Sequence, residues 1–353
     1  MPVFINENNK LFVCGQNDIG QLGLGHNNPV NILTEIENFN NVTLASCGDY
    51  HTAFINNNKL YVCGYNYYGQ LGLNYNNITI TTPTEVGGFD NVTSASCGCY
   101  HTAFISNGKL FTCGYNNYGQ LGLGHNDDVY IHAEVKNFDV TSVSCGGYHT
   151  AFISNNKLYT CGNNRFGQLG LCHSDDVHIP VEVEGFNDVT LVSCGYNHTA
   201  FINDGKLFVC GYNRDGQLGL GHNEQPSLYH NIPTQIEGFN NVILVSCGYC
   251  HTAFISNDKL FVCGYNKNGQ LGLGHNDNVN IPTEILGFDI TSVSCRNYNT
   301  VFISNGKLFV CGYNGDGQLG LGHNNGVDTP VKVKDFKPLT HPNRFKKTKS
   351  ARN

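Results

Sequence analysis

Short stretches in which apolar residues alternate with small or polar ones recur from one end of the chain to the other. His51–Ile55 reads His-Thr-Ala-Phe-Ile and Lys59–Cys63 reads Lys-Leu-Tyr-Val-Cys. The period of two, with β-branched and aromatic residues, predicts short strands rather than helices. Between paired runs stand Asn107-Gly108 and Asn305-Gly306, with Asn8-Asn9 at the first equivalent place. Such two-residue turns take positive φ and join the arms of a β-hairpin, so each pair of runs is expected to fold as one.

The second arm ends in Cys-Gly, at Cys14-Gly15, Cys63-Gly64, Cys113-Gly114, Cys161-Gly162, Cys210-Gly211, Cys263-Gly264 and Cys311-Gly312. Successive gaps are 49, 50, 48, 49, 53 and 48 residues. A steady period of that size marks a repeat architecture. A residue type fixed within the unit is explained first by the folding of the unit, which leaves individual function to the departures.

Each unit continues into a glycine-rich loop, Gly20-Gln21-Leu22-Gly23-Leu24-Gly25 in the first, whose leucines are expected to plug the space between units. A further strand such as Thr34-Glu35-Ile36 follows. Pro83, Pro180, Pro233, Pro282 and Pro330 open or precede its copies, which marks an outer edge strand, since proline cannot donate to a ladder. Then come Phe39, Phe89, Phe138, Phe186, Phe239, Phe288 and Phe336, one expected buried ring per unit. The last element, Val42–Cys47 and its relatives, is rich in Val, Ser and Cys and small enough to crowd near an axis.

Four short antiparallel strands per unit give a closed propeller or an open solenoid. The first unit lacks the Val-to-Cys strand and the last stops at Phe336, just before that strand is due. Complementary part-units predict a ring: an all-β, seven-bladed β-propeller with four-stranded antiparallel blades. Lys337-Pro338-Leu339-Thr340-His341-Pro342 is a poor inner strand because of its two prolines. The first blade is therefore expected either to be irregular or to be completed by the C-terminal segment. The expected organisation is a propeller over residues 1–336 and a basic, flexible tail over 337–353.

Composition narrows the function classes. Only 13% of residues are charged, there are 42 glycines, and no apolar run is long enough for a bilayer-spanning helix. The first residues lack the basic and apolar regions of a secretory signal, so an intracellular monomer away from membranes is expected. Thirteen of the 16 cysteines fall at two fixed places of the unit, which reads as small buried thiols rather than a disulfide scaffold. Net charge is −7. Lys337, Arg344, Lys346, Lys347, Lys349 and Arg352 lie after Phe336 with no acid among them; those six taken from 20 leave 14 basic against 27 acidic residues, a body near −13. The body repels nucleic acid, and only the tail offers a route to nucleic acid or chromatin, through a salt-sensitive association.

Chemical motifs dissolve when set against the repeat. Cys247-Gly248-Tyr249-Cys250-His251 has the haem-attachment spacing, but the Cys250 place is Tyr50, Tyr100, Tyr148, Asn197 or Tyr298 elsewhere. Cys97-Gly98-Cys99-Tyr100-His101 lacks the second ligand pair of a tetrahedral zinc site. His51, His101, His149, His198 and His251 form a ring at equivalent places, read as strand-start histidines that hydrogen-bond neighbouring backbone rather than a proton sensor. The glycine loop is not a nucleotide fingerprint. With no catalytic constellation outside the repeat, the expectation is a non-catalytic protein without metal or cofactor.

The unit Gly-Lys-Leu-Phe-Val-Cys-Gly-Tyr-Asn-x-x-Gly-Gln-Leu-Gly-Leu-Gly, then Pro-Thr-Glu-Ile, then Val-Ser-Cys-Gly-Tyr-x-His-Thr-Ala-Phe-Ile, closely resembles the repeat of the regulator of chromosome condensation family over residues 2–336. The resemblance implies a seven-bladed propeller. The founding member is a nuclear exchange factor for the small GTPase Ran that docks on nucleosomes, while relatives serve as ubiquitin-ligase modules, photoreceptors and adaptors. The photoreceptor branch depends on clustered tryptophans, and this chain has none. No ligase domain follows the repeats and no unit has room for the exchange factor's β-wedge; the 53-residue unit is longer only around Glu224 to His230.

Variation concentrates in the two residues before each Gly-Gln-Leu-Gly. Tyr67, Tyr68, Tyr118, Arg165, Phe166, Arg214 and Lys267 would form an arc of aromatics grading into cations on one face, a mixture suited to a protein-binding hot spot. Asp127-Asp128, Asp175-Asp176, Glu224 and Asp277 make an acidic sector beside it. In the sixth copy of the Cys-Gly turn Arg296 replaces glycine and is expected to face the axis, completing the candidate partner-binding set. The expected function is a scaffold that presents this face to a protein partner, with nucleotide exchange on a Ran-like small GTPase, or chromatin tethering by the tail, as the alternatives.

Overall fold

The computed structural model describes residues 3–74, 77–221 and 228–339, all strand, turn and loop. Blade 1 holds β1 (Val3–Ile5), β2 (Leu11–Gly15) and β3 (Val30–Glu35). Blade 2 holds β4 (Val42–Cys47), β5 (His51–Asn56), β6 (Lys59–Tyr65) and β7 (Thr79–Glu85). Blade 3 runs through β8 (Val92–Cys97), β9 (His101–Ser106), β10 (Lys109–Gly114) and β11 (Val129–Val135). Blade 4 comprises β12 (Val140–Cys145), β13 (His149–Ser154), β14 (Lys157–Gly162) and β15 (Val177–Glu182). In blade 5 are β16 (Val189–Cys194), β17 (His198–Asn203), β18 (Lys206–Tyr212) and β19 (Tyr229–Gln235). Blade 6 has β20 (Val242–Cys247), β21 (His251–Ser256), β22 (Lys259–Gly264) and β23 (Val279–Glu284). Blade 7 has β24 (Ile290–Arg296), β25 (Asn299–Ser304), β26 (Lys307–Gly312) and β27 (Val327–Lys332).

Six sheets pair their four strands in chain order and the first pairs three, all antiparallel. The fold is thus the seven-bladed propeller that the repeat predicts. The hairpins in blades 2 to 7 have two successive turn residues at positive φ, such as Asn57 (52°) and Asn58 (60°) or Asn107 (52°) and Gly108 (74°), as type I′ geometry requires. Blade 1 departs from this. Ile5 pairs with Leu11, one residue more than Ile55 with Leu60, and the Asn6 side chain bonds the Asn8 and Lys10 amides while Asn9 takes positive φ.

The apolar core lies between blades. Ala53, Ile55, Leu60 and Val62 of blade 2 pack on Val92, Ala95, Cys97 and Phe104 of blade 3, and the arrangement repeats round to Leu308, Val310 and Val333 of blade 7 against Phe4 and Cys14 of blade 1. The Leu22 class plugs these junctions, as expected. The fully buried ring is Phe54 and its equivalents; Phe39 is half-buried and meets Phe54 edge-on at 4.9 Å. The sequence assigned burial to the Phe39 class, but only Phe336 among them falls in the buried class.

Polar latches tie each blade to the next. The carbonyl of Gln120, in the loop of blade 3, accepts from the Thr150 hydroxyl at 2.7 Å and the Cys161 thiol at 3.7 Å, both of blade 4. The Cys-to-Gln contact occurs at all seven junctions, including Cys14 to Gln318 across the closure. Nearer the axis, each inner strand is a sheet edge whose amides need partners. Ser46 Oγ accepts the Cys97 N–H, and Ser96, Ser144, Ser193 and Ser246 serve Cys145, Cys194, Cys247 and Cys295 alike, at 2.8 to 3.0 Å.

The outer strands bear out the edge reading. Pro180 and its equivalents lie over the preceding loop's glycine, Gly122 for Pro180. At the two junctions without proline, where Leu33 and His132 stand instead, the loop pairs by backbone through Ile32–Leu321 and Leu73–Ile131. The strand glutamates form cross-strand ion pairs with lysine, such as Lys59 with Glu85 at 2.8 Å.

Gly211 shows why Cys-Gly recurs. Its φ is +107°, and a Cβ there would sit 2.5 Å from the Asn197 carbonyl and 2.7 Å from the His198 Cα. Both obstacles are backbone. Gly211→Ala is expected to lower stability by about 3 kcal/mol, combining left-handed strain with overpacking, read from the urea midpoint.

The ring closes through the C-terminal segment. Phe336 packs on Phe4 and Phe12 at 6.0 and 5.3 Å, Asn6 bridges Pro338, and the Leu339 amide donates to Ile5 at 2.8 Å. Leu339 thus stands beside β1 where an inner strand would begin. The remainder of the tail, residues 340–353, lies outside the described residues, as do Glu224 and most of the longer loop of blade 5.

Candidate functional site

Because each sheet is antiparallel, the turn between its first and second strands opens on the same face as the loop after its third. That face carries every residue of the expected arc. The first of each variable pair is exposed: Tyr67, Arg165, Arg214 and Lys267 reach solvent, while Tyr68, Tyr118 and Phe166 are half-buried.

The aromatic part of the arc belongs to a larger belt. Tyr68 meets Tyr100 at 5.3 Å and Tyr115 at 5.0 Å, and Tyr118 meets Tyr148 at 5.4 Å. The belt continues through Tyr148–Tyr196, the stacked Tyr196–Tyr249 at 4.1 Å, and Tyr249–Tyr298. Tyr100, Tyr148 and Tyr298 recur in the unit, so the sequence assigned them to folding, whereas Tyr196 and Tyr249 stand where other units have Asp49, Cys99, Gly147 or Asn297 and were missed; all these rings line one face round the axis. Burial raises the Tyr148 and Tyr298 hydroxyls to about 12, so they stay protonated and neutral.

The cations do not act as one group. Arg165 lies over the Phe166 ring at 5.9 Å, and Phe166 packs on Tyr212. Lys267 is engaged by Asp277 at 3.6 Å. Asp128 and Asp176 accept the amides of Asn116 and Asn164, so part of the acidic sector holds its own loops.

Arg296 stands apart, at the axis. Its Nη2 lies 3.7 Å from Asp49 Oδ1 across the place where blade 1 has no described inner strand, and Asp49 Oδ2 accepts the Cys99 thiol at 2.7 Å. Asp49 was missed in the sequence as the partner of Arg296, and Cys99 as that of Asp49. The signal was present: glycine-to-arginine at 296 falls in the blade next to the truncated first unit. Burial, then the Asp49 charge, hold the Cys99 thiol well above its ordinary range, so it is no nucleophile.

The histidine ring is buried, one strand deeper than the belt. His51, His101, His149, His198 and His251 each place Nε2 at 2.8 to 3.0 Å from the threonine hydroxyl of the next blade. The sequence reading gave them backbone partners; the observed partner is a side chain. Four of these five threonines, Thr102, Thr150, Thr199 and Thr252, give their own proton to a glutamine carbonyl, so the imidazole donates from Nε2 there. In blade 7 the residue is Asn299, and the next unit carries Pro2 where threonine would stand. Among the described residues no group of three or more His, Cys, Asp or Glu is placed to hold a metal ion.

A closed ring of seven repeat blades with tyrosine-lined loops defines a propeller of the chromosome-condensation-regulator type. The chain belongs to the RCC1-like domain family: the model of that domain matches residues 3–288, and the regulator of chromosome condensation (RCC1) repeat matches 305–342. Human WBSCR16 is 25% identical, with a TM-score of 0.82 over 92% of this chain and 93% of that one. Yeast RCC1 (Prp20), solved bound to Kap60, is 19% identical, with a TM-score of 0.80 over 95% of this chain and 84% of that one. Prp20p from Saccharomyces cerevisiae, studied with its binding to Gsp1p and histones, is 20% identical at 0.80, over 95% and 86%. Comparison with curated protein sequences returns no match.

Proposed function

We propose that the protein is a non-catalytic interaction scaffold that offers its tyrosine-lined face to a protein partner. The observation that carries this reading is the coincidence on one face of a continuous belt of neutral tyrosine rings and exposed arginines. Tyrosine and arginine contribute large contact area and directed hydrogen bonds, and they dominate measured interface energies. Tyr67, 55% exposed, and the Arg165 and Arg214 heads stand above the belt.

In affinity capture with quantitative mass spectrometry, Tyr67→Ala/Arg165→Ala/Arg214→Ala is expected to reduce recovery of specific partners at least about tenfold, matching loss of about 1.4 kcal/mol or more. Lys136→Ala, on the opposite face, should leave recovery unchanged. Equal recovery by the triple variant, with its melting unaltered, would remove the reading. The second reading, nucleotide exchange on a Ran-like GTPase, draws on the family and on the yeast relative's binding to Gsp1p. Release of fluorescent GDP from a panel of small GTPases separates the two, since a scaffold produces no acceleration.

A further inference from the structure

The inner strands enclose an axial cavity of about 210 Å³. Its wall combines serine side chains from six blades with Arg296 and Asn299, and Val3 and Phe4 of β1 on the side of blade 1. We propose that this cavity binds a small tetrahedral oxyanion of the phosphate or sulfate class, held by the Arg296 guanidinium and the ring of serine hydroxyls.

The donor inventory supports an anion. Ser46, Ser96, Ser144, Ser193 and Ser246 each use their oxygen to accept an inner-strand amide. A hydroxyl that accepts still has its own proton to donate, and a neutral thiol beside it is a weak acceptor that an oxyanion outcompetes. Arg296 adds a permanent charge. Its Nε is buried without a partner, and its one carboxylate neighbour, Asp49, is 3.7 Å away and already takes the Cys99 thiol.

Nothing on the wall opposes a negative guest. Cys47, Cys97, Cys145 and Cys295 stay neutral thiols because burial raises them. A cation would find only Asp49, and that through Arg296. Planar guanidinium forks match the oxygen spacing of phosphate and sulfate. The equivalents of Arg296 are Gly48, Gly98, Gly146, Gly195 and Gly248, so the charge is a departure from the unit rather than a requirement of folding it.

The test is calorimetric titration of the full-length protein with sodium phosphate and, separately, sodium sulfate at constant ionic strength, with sodium chloride as control. Saturable one-site binding of either oxyanion is expected. Arg296→Gly, which installs the residue of the other blades, should weaken it at least about tenfold, the scale of a lost charge-assisted hydrogen bond. Asp49→Asn should tighten it about threefold by freeing the guanidinium, a change that a purely structural Arg296–Asp49 pair would not produce. Should Arg296→Gly fail to fold, Ser144→Ala/Ser193→Ala provides an independent loss of affinity. No saturable heat with either oxyanion, equal affinity in Arg296→Gly, or weaker binding in Asp49→Asn would each overturn the proposal. Partner capture on the tyrosine face is measured separately, so its outcome and this one fail independently.

Discussion

Between pH 7 and pH 5 the protein is expected to lose on the order of 9 kcal/mol of folding stability, mostly through five histidines. Burial holds His51, His101, His149 and His198 down to about 3 and His251 to about 4. In the unfolded chain they return to about 6.5. Below that value the unfolded state takes up protons that the native state refuses. The contribution is therefore complete above pH 6.5 and is lost as pH falls toward the native values. Each site gives up about 2 kcal/mol by pH 5, against a whole-domain stability of roughly 5–15 kcal/mol.

Geometry explains the resistance. At four sites Nε2 already donates to threonine, so an added proton must go to Nδ1, and Nδ1 is buried with no partner at all five. Urea unfolding at pH 7.5, 6 and 5 measures the loss. His149→Asn, imitating Asn299, should lower the slope of stability with pH by about one proton, or 1.4 kcal/mol per pH unit between pH 6 and 5. A stability flat from pH 7 to 5 would show that these imidazoles are not held neutral.

The division between what the sequence revealed and what it hid follows the repeat itself. Period, turn residues and edge prolines are local, so hairpins, strand order and the ring were legible from Asn107-Gly108, Pro180 and the two part-units. The latches are not local. His101 and Thr150 are 49 residues apart, and one unit alone shows neither the partner nor that it lies in the next blade. Comparing units would have shown it at one place, where Asn299 replaces histidine just ahead of the unit that has Pro2 for threonine. The tyrosine belt was half hidden for a different reason: Tyr100, Tyr148 and Tyr298 are repeated, and repetition was read as folding, so the variable Tyr68 and Tyr118 were seen without the rings they join. On this ring a residue such as Tyr100 serves both, since its backbone makes the turn and its side chain lines the face.

Deleting residues 336–353 is expected to cost about 5–7 kcal/mol, whereas deleting 340–353 should leave the described closure contacts in place. The shorter chain loses Phe336, a buried ring whose removal is worth about 3–5 kcal/mol by analogy with Phe-to-Ala substitutions in cores. It also loses the bonds from Glu7 to Lys337 and from Leu339 to Ile5, about 1 kcal/mol each. The exposed Lys337–Glu7 ion pair adds little. A ring concentrates this loss at one seam. Blades 2 to 6 keep both neighbours, but β1 is left with an uncovered edge, and Phe4 and Phe12 lose their edge-on partner. Blade 1 should then open first, visible as protease cleavage between Val3 and Gly15 at urea concentrations that leave the other hairpins protected. If the two deletions melt alike, or cleavage begins elsewhere, the seam does not lie where Phe336 meets β1.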